Sequence, residues 1–531
     1  MTQLPFAAAL GLLLWVVFSL LCNGIASLRL LTALRGLSLI VYGAGAGVVL
    51  HGLVGWGIAA FPPLRWAFVF LLVGLTLASA IYVLRVKLLS EFRSTLPSAT
   101  KVSLALWVLL LLGCLGLLHL RVRYPDPLPD GQYLSQEHTL NVKLQFLTGS
   151  PADNYIPFAV SEYFLRGVSF KEQRPILPGN EVSNRTILMS LVALPFRVAC
   201  GAPRDHPRLG SKNFLGRKCP DVMQLNTGSY FEQFEIVGMV LNSLLLLGVI
   251  LFFTSFGAEP IVAPATLLYI TCPYFLAQTI YTWPKALAGF FILLAWNSHR
   301  KGHHAAVVGA LMALAYHSHP YAIVFAGFLG LFYLFQFRRG KSGFYATGAY
   351  LVTFVLLVTP WFFWTRVILQ IPSDLIAQNL SGPNTEIPLS SPVNFLWVRL
   401  WNFLSLISPV MFRVYPFQFA TVVAQFLYCL PGAVGLLIVY PAFAECALTP
   451  NLRPWIWFGL IGPGLALGAI FSCPALLVLH GYQSLAAALL FIGVWFFWQR
   501  TSRASYFAVM GLQLAINILV LLSQGAVVGV H

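Results

Sequence analysis

Charge is scarce in this chain. Only 9% of its 531 residues are Asp, Glu, Lys or Arg, against about 25% in a soluble domain. Hydrophobic residues make up 58%. A soluble core of this size cannot hide that much apolar surface, so lipid must cover it. Other absences narrow the chemistry. No CxxC and no Cys/His cluster has zinc spacing, so a structural zinc site is not expected. No Gly-rich phosphate-binding loop is present. No Asp-x-Asp pair occurs in the acidic region, and no metal or cofactor is expected. Internal repeats of 20–50 residues and low-complexity tracts are also missing.

What is present is a succession of apolar runs. They predict an all-α polytopic membrane protein with about fourteen spans. The spans fall near 4–23, 37–60, 65–86, 102–120, 234–256, 260–281, 284–298, 304–317, 320–337, 344–365, 418–440, 453–472, 480–498 and 505–527. The first run, Leu4 to Asn23, follows no basic segment and reads as a retained span rather than a cleaved signal. The net charge of +16 does not point to nucleic acid. The basic residues are scattered over span ends and form no groove-sized cluster.

Those basic residues orient the chain, because short cytoplasmic loops are enriched in Lys and Arg. Arg29 and Arg35, then Lys87, Arg93 and Lys101, then Arg300 and Lys301, then Arg338, Arg339 and Lys341, then Arg453, and finally Arg500 and Arg503 all fall on one side. The large loop 121–233, the corners Tyr281–Lys285, Tyr316–Pro320 and Cys473–Tyr482, and the loop 366–417 fall on the other. The large loop is basic, but long loops translocate largely regardless of charge. Three regions result: N-terminal spans 1–101, a core 102–417 with both outer loops, and C-terminal spans 418–531. Within the large loop, Ala159 to Leu165 and Thr186 to Val198 suit short helices on the membrane surface. Segment 394–412, with Trp397 and Arg399 near its start, suits an interfacial helix or a further span; the interfacial reading is preferred, because a span there would invert the loops that follow. Cys200 and Cys219 both fall in the loop; they either pair in an oxidising space or stay as free thiols.

The acids are the informative residues. Of 16 in the chain, 11 lie between Asp126 and Glu235. An ion-coupled transporter usually needs acids within its spans, and here the spans are nearly free of them. Glu259 and Glu445 sit at inner span ends, where a carboxylate is simply solvated. The polar chemistry is expected on the outer face. Three stretches combine acids, bases and aromatics there: Asp130 to His138 with Glu137, Asp153 to Tyr163 with Tyr155 and Glu162, and Arg174 to Arg185. A carboxylate beside apolar surface can act as a base, and an arginine can grip a phosphate. The plainer reading of any one acid is a solvated loop residue.

The outer corners carry cations. Trp283-Pro-Lys285 puts an ammonium just inside a span; snorkelling is the plain explanation. Tyr316-His317-Ser-His319-Pro320 puts two histidines on one tight turn, suited to a phosphate, a metal or capping; the i, i+2 spacing without a third ligand argues against the metal. His480 faces the same side. Convergence of Lys285, His317, His319 and His480 under the large loop is an expectation.

This arrangement resembles the multi-spanning glycosyltransferases of the C-type fold. The stretches Tyr281-Thr-Trp-Pro-Lys285 and Ala313-Leu-Ala-Tyr-His-Ser-His-Pro320 are similar to segments of bacterial members, and the architectural likeness covers roughly 102–527. The large acidic loop follows the fourth span here, where the family usually has it after the first. The resemblance implies transfer of a sugar from a polyprenyl-phosphate carrier to a glycan or lipid acceptor outside the cytoplasm, at a bacterial inner or plasma membrane. A loop carboxylate would be the base: Asp153 first, then Asp130, then Glu137. Lys285, Arg185, His317 and His319 would bind the leaving phosphate, with His480, Tyr155 and Glu162 lining the site. Three other classes fit the same features: a transporter or flippase for a lipid-linked glycan, a non-catalytic membrane subunit whose loop binds a partner, and a glycan ligase or polymerase using a diphosphate carrier.

Overall fold

The computed structural model describes residues 4–119, 156–171, 181–184, 186–202, 209–212, 218–220, 229–337, 340–371, 391–407, 441–442, 444–445, 449, 452–471 and 483–527. Nearly all of this is helix. The exception among the described residues is a small antiparallel ribbon, β1 (Leu209–Lys212) with β2 (Lys218–Pro220).

Five helices come first: α1 (Phe6–Leu31), α2 (Gly36–Ala60), α3 (Arg65–Arg85), the short α4 (Leu88–Thr95) and α5 (Ser98–His119). Helix α2 is built for close approach. Its stretch Gly43-Ala-Gly-Ala-Gly47 has small residues four apart, which lets backbones touch. A Cβ on Gly47 would sit 2.1 Å from the Leu20 carbonyl oxygen, so α1 rests directly on this stripe. Polar side chains add to the packing: Asn23 Nδ2 donates to Thr76 Oγ1 at 2.9 Å, and His51 lies 3.1 Å from Ser19 Oγ. Helix α4 carries Glu91 to Arg29 at 3.2 Å.

Helices α6 (Ile156–Arg166) and α7 (Leu188–Ala199) form where the apolar patterns predict helix. Their surroundings differ from the expectation. They do not lie on a membrane surface, because protein covers almost every residue of both. A Cβ on Gly55 would lie 1.9 Å from the Leu191 carbonyl oxygen, so α7 is seated on the outer half of α2. The apolar residues read as lipid-facing are instead core. Cys200, at the end of α7, is a free thiol and not half of a disulfide. Burial holds it above the usual thiol range, even with Arg197 pulling it down.

The core helix α8 (Tyr230–Thr254) is buried through its apolar length. Then follow α9 (Glu259–Thr271) and α10 (Pro273–Ile280), bent by 75° at a break. Pro273 removes a backbone donor there. Next come α11 (Lys285–Arg300), α12 (Ala305–Ser318), α13 (Ala322–Phe337) and α14 (Lys341–Phe362), the last continuing as a π-helical turn Phe363–Ile368. Helix α15 (Pro392–Ile407) occupies the segment expected to be interfacial. The turn Arg453–Trp455 runs through a π-helix, Ile456–Ile461, into α16 (Gly462–Ile470). Helices α17 (Gln483–Arg500) and α18 (Arg503–Val527) complete the described chain.

Among the described residues, six helical stretches are long and apolar enough to cross a membrane: Phe6–Leu31, Gly36–Ala60, Pro62–Arg85, Ser98–His119, Tyr230–Thr254 and Lys341–Ile368. Counting the bent pair α9–α10 as one span gives seven. These mark a membrane protein; they do not confirm a count of about fourteen. Part of the difference is length. Helices α11, α12 and α13 have 16, 14 and 16 residues. At about 1.5 Å per residue they rise roughly 21–24 Å, short of a hydrocarbon core of about 30 Å. The span expected at 418–440 lies outside the described residues. One contiguous apolar core runs from Ala9 to Met510 and takes in α1, α2 and α5 as well as the later helices.

Glu445 corrects another expectation. Its carboxylate is 1% exposed, not solvated, and receives Thr449 Oγ1 at 2.6 Å and Arg500 Nε at 3.3 Å.

Candidate functional site

The short helices α11, α12 and α13 put a turn inside the bundle. Helices α8 and α11 run parallel. A Cβ on Gly238 would touch Thr282, Gly248 sits beside Phe290, and Arg300 donates to the Ser255 carbonyl. The corner before Lys285 therefore lies beside Gly238 to Asn242. That is on the order of 15 Å along α8 from its first residue, Tyr230. The Trp283-Pro-Lys285 motif is well below the span mouth where its sequence suggested it would be. A proline opens α11, pre-set for the first helical turn, and the positive end of that helix dipole falls at this depth.

Polar side chains collect at the corner. Gln278, Thr279, Thr282, Lys285, His319 and Asn242 are all buried. Asn242 Nδ2 donates to the Tyr281 carbonyl at 2.6 Å, which ties the corner to α8. Lys285 is 0% exposed, with Nζ 3.2 Å from the centroid of the Trp283 ring. Full burial rules out snorkelling as the account of Lys285. A cation on an indole face is favoured by about 2 kcal/mol when desolvated, a modest return against the cost of burying an ammonium. Tyr321 then joins two of the sequence candidates. Its hydroxyl donates to the Lys285 carbonyl at 3.0 Å, and its backbone N–H donates to His319 Nδ1 at 3.3 Å. The His319 and Tyr321 rings lie 5.2 Å apart.

His317 does not join them. Its Nε2 meets the Leu357 carbonyl at 2.8 Å, pinning the end of α12 to α14. The two histidines of this turn have separate partners, because successive residues at a helix end point in different directions.

Glu162 belongs to a second centre, near the N-terminal end of α8. It is 0% exposed and paired twice: Arg166 Nε approaches at 3.0 Å and Arg197 Nη2 at 2.6 Å. Arg197 also donates to Gln233 and stacks on Tyr230, with Cζ 4.6 Å from the ring centroid. Both carboxylate oxygens are engaged, so Glu162 holds α6 and α7 together rather than reaching a substrate. Glu235, counted with the loop acids, is buried within α8 nearby in sequence. Asp153, Asp130 and Glu137, the expected bases, lie outside the described residues, as do Arg185, His480 and Tyr155.

Of ten sequence candidates, the structure brings Lys285 and His319 together and separates His317 and Glu162 from them. Sequence reasoning missed Tyr321, Asn242, Arg166 and Arg197. Arg166 was legible as the i+4 partner of Glu162. Arg197 was not, because 35 residues separate it from Glu162.

Comparison with protein-family models, with curated proteins and with solved structures finds no match.

Proposed function

We propose that the chain is a membrane glycosyltransferase that takes a sugar from a polyprenyl-phosphate donor. The Lys285 corner receives the donor phosphate, reached from the membrane. The observation that carries the reading is a fully buried ammonium at the start of a half-length helix, joined through Tyr321 to His319. Buried ionisable groups at membrane depth mark substrate or ion sites by default. The reaction breaks the bond between the sugar C1 and the phosphate oxygen and forms one from C1 to an acceptor oxygen. The acceptor hydroxyl proton passes to a carboxylate: Asp153 first, Asp130 or Glu137 next. Lys285 stabilises the charge that builds on the departing lipid phosphate. The acceptor is a glycan or lipid hydroxyl on the non-cytoplasmic face.

The depth of the corner favours a second reading. Carriers also place anionic substrates near the midplane, at the start of discontinuous helices. A flippase for a lipid-linked glycan would use the same phosphate contact without breaking a bond. The deciding experiment incubates purified protein in liposomes with a panel of radiolabelled polyprenyl-phosphate sugars and an envelope-lipid extract. Transfer that Lys285→Gln and Asp153→Asn each lower at least a hundredfold supports the transferase. Leaflet exchange of intact donor with no transfer assigns the carrier.

A further inference from the structure

A further buried cation lies on α15. Arg399 is 5% exposed. Its Nε donates to the Ala469 carbonyl at 3.0 Å, and its Cζ lies 4.1 Å from the centroid of the Phe395 ring. It therefore sits at the carbonyl end of α16, where a helix dipole favours a cation. Three residues along the same face, the buried Asn402 donates through Nδ2 to the carbonyls of Gly468 at 2.8 Å and Phe471 at 2.7 Å. These contacts cap the last carbonyls of α16. They do not use the fork of the guanidinium. Nη1 and Nη2 are both enclosed and have no hydrogen-bond partner, and neither has Asn402 Oδ1.

A guanidinium cannot shed its proton, and leaving a charge buried without a partner costs several kcal/mol. A lysine or glutamine would cap the helix equally well through a single donor. A planar fork is the group that matches phosphate or carboxylate oxygens two at a time. An open acceptor on the same helix face suits a ligand that also carries a hydroxyl. Depth narrows the source. Phe328 packs on Gly462, and Phe332 and Phe335 pack on Phe458, so the run into α16 is antiparallel to α13. Ala469 is then near the level where α13 begins, inside the bundle rather than in bulk water. Around it α15 presents Val393, Leu396, Trp397 and Leu400 as exposed apolar surface.

We infer that Arg399 and Asn402 form a binding site for the phosphate of an anionic, hydroxyl-bearing membrane lipid of the phosphoglycerol type. The site is separate from the Lys285 corner and does not depend on the reading given to that corner.

Native mass spectrometry of the full-length protein tests it, with phosphatidylglycerol, phosphatidylcholine and inorganic phosphate in separate arms. Wild type is expected to retain phosphatidylglycerol at concentrations at least tenfold lower than R399Q does, and to retain phosphatidylcholine poorly. K285Q is expected to keep the adduct. Thermal protection by inorganic phosphate alone, lost in R399Q, would support the anion site while assigning it to a soluble ligand. Equal phosphatidylglycerol retention by wild type and R399Q overturns the inference, and so does an adduct lost in K285Q but kept in R399Q. If R399Q does not accumulate, R399K keeps the charge without the fork and is expected to bind three- to tenfold more weakly. Binding by R399K at the wild-type level then overturns it.

Discussion

The two centres that enclose sequence-selected residues, the outer one around Glu162 and the deeper one around Lys285, solve the problem of a buried cation in different ways. At the outer centre a carboxylate meets two arginines at 3.0 and 2.6 Å. At the deeper one an ammonium rests on an indole ring at 3.2 Å, beside a histidine and a tyrosine. A matched ion pair fastens elements together and leaves little for a ligand to do. At the deeper centre the described neighbours of the cation are an aromatic ring and neutral polar groups, a setting that suits a phosphate site. Burial alone therefore does not mark function in this bundle; the chemistry of the neighbours separates the two.

The sharpest break in that comparison is Glu162→Ala. It leaves Arg166 and Arg197 enclosed without their carboxylate, a loss of about 3–5 kcal/mol. A large fall in the thermal unfolding midpoint in detergent is expected; a midpoint equal to wild type would contradict the fastening role. Gly55→Ala comes next. Its methyl would lie 1.9 Å from the Leu191 carbonyl oxygen, and forcing α7 off α2 costs about 1–3 kcal/mol by overpacking. Proteolysis should then release the α6–α7 region first, while polyprenyl-phosphate binding persists.

Lys285→Gln inverts the pattern. Polyprenyl-phosphate affinity is expected to fall at least tenfold, while the midpoint falls less than in Glu162→Ala. Lost affinity in Glu162→Ala but not in Lys285→Gln would exchange the roles of the two centres. The smallest effect is expected from Tyr321→Phe. It removes one hydrogen bond to the Lys285 carbonyl, about 0.5–1.5 kcal/mol, and weakens binding a few-fold by loosening the corner.

Much of this was readable along the chain, and the exceptions have physical causes. Lys285 and His319 stood out because Pro284 and Pro320 punctuate apolar runs, and punctuation is local. Their depth was missed, although it was encoded in short runs: a 15-residue span such as 284–298 rises only about 22 Å, too little to cross. The apolar patterns of α6 and α7 gave helices in nearly the expected places. What covers those helices was not readable, since an apolar helix face looks the same against lipid and against protein. The close seat of α7 on Gly55 belongs to α2, more than 100 residues earlier. Arg197 escaped for the same reason: its partner Glu162 is adjacent only after folding. Glu445 looked solvated because a span end suggests water, and Arg500 of α17 supplies the partner that buries it.

The most direct measurement is photo-crosslinking with a polyprenyl phosphate carrying a diazirine next to its phosphate, followed by peptide mapping. Labelling is expected at Tyr281–Lys285 and His319–Ala322, competed by unlabelled polyprenyl phosphate and lost in Lys285→Gln. Labelling confined to α6 and α7, or unchanged in Lys285→Gln, would contradict the account.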